Sequence, residues 1–173
     1  MRSNNLKRAA ATIFSICLLA SMILAQGDRG KAEATVKNAK ISIDYGRPSL
    51  HGQPSRLGEA TDGMIWRLGM NMSTSIDTSS DLVVGGKPVK AGKYSLWAKH
   101  VSGSNWQLLF HPKTGVWGAP ALTEGFIAEL PLKMEKASSP VDPMAISLSD
   151  AKGKAVIKIQ WGTDVLTGAF DVK

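Results

Sequence analysis

A period of two in the apolar residues constrains this chain most, and it is clearest between Tyr94 and Phe110. Tyr94, Leu96, Ala98 and His100 fall on one side of an extended segment, and Trp106, Leu108 and Phe110 fall on one side of a second. The connection Val101-Ser102-Gly103-Ser104-Asn105 joins them. Successive side chains of a strand point to opposite faces, so this spacing predicts an antiparallel hairpin with His100 opposite Trp106 and Leu96 opposite Phe110. Ser95, Trp97, Lys99, Gln107, Leu109 and His111 then share the second face.

The same period recurs at Ile41, Ile43 and Tyr45, with Ser42 and Asp44 between them. Further strands are predicted over residues 64–71, 74–78 and 82–84, the last turning at Gly85-Gly86 into a short return through Pro88 and Val89. Alternation resumes over residues 126–132, 144–148, 155–161 and 166–172, with a Ser/Pro-rich connector over residues 137–143. No stretch carries a long helical period. Short strands joined by hairpin turns, without crossover helices, predict an all-β fold: a single antiparallel β-sandwich or barrel-like domain.

The amino terminus reads as an address. Arg2, Lys7 and Arg8 precede an apolar run over residues 13–24 that ends at Ala25, the pattern of a cleaved secretory signal peptide. The run is shorter than the roughly 20 residues a membrane-spanning helix needs, and nothing comparable follows it. The expected organisation is a signal peptide over 1–25, a flexible polar lead-in over 26–35 and one domain over 36–173. The mature chain is expected to be exported, to the periplasm or beyond, with no transmembrane segment. Cys17 is the only cysteine and leaves with the signal, so neither a disulfide nor a thiolate metal ligand is available. Of 21 basic residues three leave as well, and 18 then face 14 acidic ones. That mild balance, on scattered lysines, argues against a nucleic-acid partner.

Three stretches carry a resemblance. They are Tyr45-Gly46-Arg47-Pro48-Ser49, then Trp66-Arg67-Leu68-Gly69-Met70-Asn71 with Thr74, then Gly92-Lys93-Tyr94-Ser95-Leu96 with Trp117-Gly118-Ala119. In order and spacing they resemble the bacterial domain of unknown function 2911 family over residues 39–172. The family pattern has a small Ala where Met70 stands and an acidic residue where Met72 stands, so no polar role is carried to those two positions. The resemblance implies an exported bacterial protein of β-rich fold and brings no activity, substrate or catalytic residue with it.

Candidate binding residues follow from side-chain chemistry. Arg47 and Arg67 stand at predicted strand ends, and two guanidiniums converging near Asn71 would form a planar fork for a carboxylate or phosphate; the alternative is that each locks its own turn. Trp66, Trp106 and Trp161 sit in strand patterns and read as core. Trp97, on the second hairpin face, and Trp117, in a Gly/Pro-rich loop, are the aromatic ligand candidates, against the alternative that both are covered. His51, His100 and His111 do not share ligand spacing, since His100 and His111 lie near opposite ends of the hairpin and on opposite faces. They read as solvated loop or strand-end histidines, and neither a metal site nor a cofactor is expected. No catalytic signature is present: there is no G-x-S-x-G, no H-E-x-x-H and no phosphate loop. The leading expectation is therefore a non-catalytic module that binds a small molecule, a glycan or a protein partner through Arg47, Arg67, Asn71, Trp97 and Trp117. A hydrolase with residues dispersed over loops, or a structural envelope component, stands as the alternative.

Overall fold

The computed structural model describes residues 29–173; the expected signal segment over 1–25, with Cys17, lies outside them. The described residues form ten strands: β1 (Arg29–Val36), β2 (Ala39–Gly46), β3 (Ile65–Trp66), β4 (Thr74–Thr78), β5 (Leu82–Val84), β6 (Lys87–Val89), β7 (Gly92–Ser102), β8 (Asn105–His111), β9 (Ala128–Ala151) and β10 (Lys154–Val172). The only helical turn among the described residues is a short 3-10 segment at Leu57–Glu59. The strands form one antiparallel sheet in the order β1-β2-β4-β7-β8-β9-β10-β5-β6, with β3 added beside β7.

The sheet folds on itself around a single core. β1 and β9 stand five places apart in the hydrogen-bonded order and nevertheless pack against each other. Ile43 and Tyr45 from β2, Leu96 from β7, Phe110 from β8, Ile157 from β10 and Val172 at its end all belong to one buried cluster. Burying a large apolar side chain contributes roughly 1.5–3 kcal/mol, and no disulfide is needed where so many converge. The first strands of the order are tied to β10: Lys37, in the β1–β2 turn, donates through Nζ to Val172 O at 2.5 Å. Tyr45 Oη reaches Ile146 O at 3.4 Å, and Met144 N donates to Pro48 O at 3.0 Å, closing β2 onto β9.

The period-two reading of the hairpin holds, with His100 opposite Trp106 and Leu96 opposite Phe110. Residues 74–78 and 82–84 are strands as read, and Pro88 sits on β6, the last strand of the order, where a missing N–H breaks no ladder. Three expectations are corrected. The segment read as a flexible lead-in is strand β1 from Arg29 onward, paired along its length with β2. Its core-side residues are small, Ala32 and Ala34 packing with Val36, and Gly30 lies so close beneath the Tyr45 ring that a Cβ would stand 2.5 Å from Cζ. Small residues gave alternation without hydrophobic contrast. The connector over 137–143 belongs to β9, which runs against β10 through two register shifts near Gly162, and such bulges let a long hairpin bend around a core. The strand read over 64–71 stops at Trp66, for a reason that shapes the candidate site.

Candidate functional site

After Trp66 the backbone leaves extended geometry. Leu68, Gly69 and Asn71 have φ of 52°, 152° and 60°, and left-handed residues cannot continue a ladder. The turn is held from inside. Leu68 is fully buried, and Thr74 Oγ1 donates to its carbonyl at 2.5 Å. Gly69 has to be glycine here, because a Cβ would stand 2.8 Å from Gly46 O. Gly46 is equally tight against Met70. The stretches over 45–49 and 66–71 thus interlock through their glycines.

The turn receives the long loop between β8 and β9. Met72 and Trp117 form a bridge, Ser73 N donates to Val116 O at 2.9 Å, and Gly118 N donates to Asn71 O at 3.0 Å. Arg67 lies flat on this junction: a Cβ on Gly118 would stand 2.3 Å from its Cδ, and its Nη1 reaches Asn71 O at 3.5 Å, a long, weak hydrogen bond. Arg67, Asn71 and Trp117 therefore come together at this junction, whereas the sequence reading sets Arg47 beside Arg67 near Asn71. Trp117 is 57% exposed, the most exposed large hydrophobic side chain among the described residues.

Two of the sequence candidates are placed elsewhere. Arg47 packs its aliphatic stem over Gly30 and turns Nε toward Met144 O at 3.5 Å, so it braces β2 against β9. Trp97 has no exposed surface. It lies outside the main core cluster, on the other hairpin face from Leu96 and Phe110, and its Nε1 donates to Ser95 Oγ at 3.0 Å. Ser95 Oγ donates in turn to Lys113 O at 2.8 Å. Trp97 thus supports the loop that carries Trp117 and presents no surface to a ligand. The sequence shows its face correctly but not that this face is buried. Trp106 is buried as read, whereas Trp66 and Trp161 are half-buried and stacked on each other, with ring centroids 5.9 Å apart.

Beside the Met72–Trp117 bridge lies a cavity of about 290 Å³. Arg29 and Asp44 form one wall as an ion pair, with Arg29 also reaching toward Met72 O. Ser75 and Lys93 project from β4 and β7, and Thr114 and Gly115 close the loop side. Ser73 lines it too, and its hydroxyl is buried without a hydrogen-bond partner among the described residues. None of these residues except Arg29 and Asp44 forms a salt bridge among the described residues. A larger hollow of about 610 Å³ runs along β1, β2 and β4 between Glu33, Lys40 and Asp77. None of its lining residues belongs to the 67–73 turn or to the loop between β8 and β9, whereas Met72, Ser73, Thr114 and Gly115 line the smaller cavity, which is therefore the better candidate despite its size.

The histidines stand apart from this cavity. His111 Nδ1 accepts from Lys113 N–H at 2.9 Å while its ring edge meets Phe126. His51 is exposed and its N–H donates to Ser49 Oγ at 3.3 Å. His100, read as a solvated strand end, is buried instead: Nε2 lies 3.0 Å from Gly103 O, the ring packs edge-on against Trp106, and Nδ1 is 3.3 Å from Asp62 Oδ1. Its inward placement follows from the register that sets it opposite Trp106.

Comparison with characterised proteins and with solved structures returns no significant match. Comparison with protein families matches the model described as protein of unknown function (DUF2911) over residues 28–168, which spans β1 through most of β10 and includes every residue of the cavity. The chain belongs to the DUF2911 family.

Proposed function

We propose that this protein is an exported, non-catalytic binding module that takes a small-molecule or glycan ligand on the surface formed by residues 67–73 and 113–118. The observation that carries the reading is Trp117. A fold with one continuous core had every opportunity to bury a tryptophan, yet this one is held open to solvent on a backbone bridge, next to a guanidinium fixed flat on the same junction. An exposed ring fixed beside polar donors is suited to recognition, since it supplies contact area at low entropic cost. The elements beneath the site are rigid strands, which favours a preformed surface. Export is supported by the amino-terminal pattern of a basic start and an apolar run ending at Ala25.

A glycan array probed with the mature domain tests the reading. Trp117→Ala, which removes an exposed side chain, should leave the melting temperature within a degree or two and abolish the signals seen with the native domain. Signals unchanged in Trp117→Ala would place recognition elsewhere.

A further inference from the structure

The cavity beside Trp117 has a chemistry of its own. Its charged groups are Arg29, Lys93 and Asp44, an excess of one positive charge. Arg29 is committed to Asp44, which leaves the Lys93 ammonium as the cation without an acidic partner among the described residues. Asp77 stands opposite Lys93 in the β4–β7 ladder, yet the two form no ion pair. Around this ammonium are hydroxyls. Ser75 and Thr114 line the cavity, and Ser73 brings a buried hydroxyl with no partner among the described residues. A buried polar group left unpaired is destabilising, so such groups are ordinarily satisfied by water or by a ligand. Asp44 keeps half of its side chain exposed and accepts Arg29 through Oδ1, with Oδ2 available to accept further hydrogen bonds.

From this set we infer that the cavity binds an acidic monosaccharide, with its carboxylate on Lys93 and its ring hydroxyls on Asp44, Ser73, Ser75 and Thr114. The inference rests on the binding-module reading and deepens it. A single negative charge matches the single excess positive charge of the walls; a doubly charged phosphate would meet the Asp44 carboxylate as well. Hydroxyl-bearing side chains both donate and accept, which suits a ring of alcohols better than an apolar ligand. A volume of about 290 Å³ is roughly ten water volumes at about 30 Å³ each, the size of one sugar ring and not of a chain. Met72 lines the cavity and its backbone bridges to that of Trp117, so the segment carrying the exposed indole borders the cavity, and the indole is the aromatic face offered to the C–H face of a sugar ring or of its neighbour.

Calorimetric titration of the mature domain with D-glucuronate, D-glucose and inorganic phosphate tests the assignment. Glucuronate is expected to bind at least tenfold more tightly than glucose, because only it engages the ammonium, and phosphate is expected to bind no better than glucose. Lys93→Gln, an exposed substitution that leaves the fold intact, should bring glucuronate down to the glucose level, and Ser73→Ala should weaken both sugars. Equal binding of the two sugars, or a Lys93→Gln domain that still prefers glucuronate, would overturn the acidic-sugar assignment. If Trp117→Ala then still abolished glycan signals on the array, the binding-module reading would survive that failure. Phosphate binding that depends on Lys93 and exceeds glucuronate binding would show an anion site without sugar recognition and would likewise overturn it.

Discussion

Trp97 and Ser95, two residues apart on β7, are joined by a hydrogen bond of 3.0 Å from the indole Nε1 to the hydroxyl, and Ser95 passes its own proton to Lys113 O at 2.8 Å. This two-step chain ties a fully buried ring to the loop whose next residues, Thr114 and Gly115, line the cavity and whose Trp117 bridges to Met72. Side chains with no exposed surface thus help to determine where Thr114, Gly115 and Trp117 stand.

Trp97→Phe keeps most of the buried ring and deletes the donor. The expected cost is about 1 kcal/mol for the lost hydrogen bond, with a further contribution from the smaller ring. Loss of stability should be accompanied by faster amide hydrogen exchange at Ser73 and Gly118, whose N–H groups join the loop to the 67–73 turn. Unchanged exchange at both amides would show that the chain does not hold the loop.

Gly118→Ala tests the seat of Arg67. A Cβ there would stand 2.3 Å from Cδ and 2.8 Å from Cβ of Arg67, so the arginine cannot escape by swinging only its tip. The expected destabilisation is about 1–3 kcal/mol, as for overpacked sites, with loss of ligand binding. Arg67→Lys separates the two effects, since lysine retains the charge but not the planar donor pair: binding should fall with little change in melting temperature.

Gly85→Ala addresses how the sheet closes. Gly85 has φ of 55°, and a Cβ would stand 2.0 Å from Glu129 O on β9. Backbone strain alone costs about 1–3 kcal/mol, and the contact with a strand carbonyl adds to it. Thermal unfolding should move down by several degrees at least, whereas Gly86→Ala, with nothing near its Cβ position, should show only the conformational part.

Asp81 supplies a pH signature. The Lys90 ammonium at 2.9 Å, followed by the Ala91 N–H, holds its carboxyl below the ordinary value of 3.8. A carboxyl lowered on folding stabilises the native state above its unfolded pKa, and that contribution is lost as the pH falls through the lowered native value. Direct titration of the Asp81 carboxyl by NMR should give a midpoint under 3.8, and Lys90→Met should return it toward the ordinary value.

The fold was legible wherever bulky apolar residues alternate with polar ones. The register of β7 against β8 follows from Leu96, Phe110, His100 and Trp106 alone, because a slip of one residue would turn every one of them outward. β1 escaped because Ala32 and Ala34 are small where the strand packs closely on β9, which erases the contrast that alternation needs. The site was legible in part. Arg67, Asn71 and Trp117 could be named from residue type and loop position, but their meeting depends on positive φ at Leu68 and Asn71, which no periodicity announces. Trp97 reads as a ligand candidate because alternation shows which face of the hairpin a residue occupies and not whether that face is covered. Ser73 and Lys93 gave no signal at all: their interest arises only once a buried hydroxyl and an unpaired ammonium are found lining one cavity.

Amide NMR of the mature domain during titration with D-glucuronate and with neutral methyl glycosides tests the central claim most directly, since it reports on every strand at once. The account predicts shifts concentrated at Asn71, Ser73, Thr114 and Gly115 and at the indole N–H of Trp117, with β5 and β6 unmoved. Shifts gathered along Glu33, Lys40 and Asp77, or a spectrum that no sugar perturbs, would contradict it.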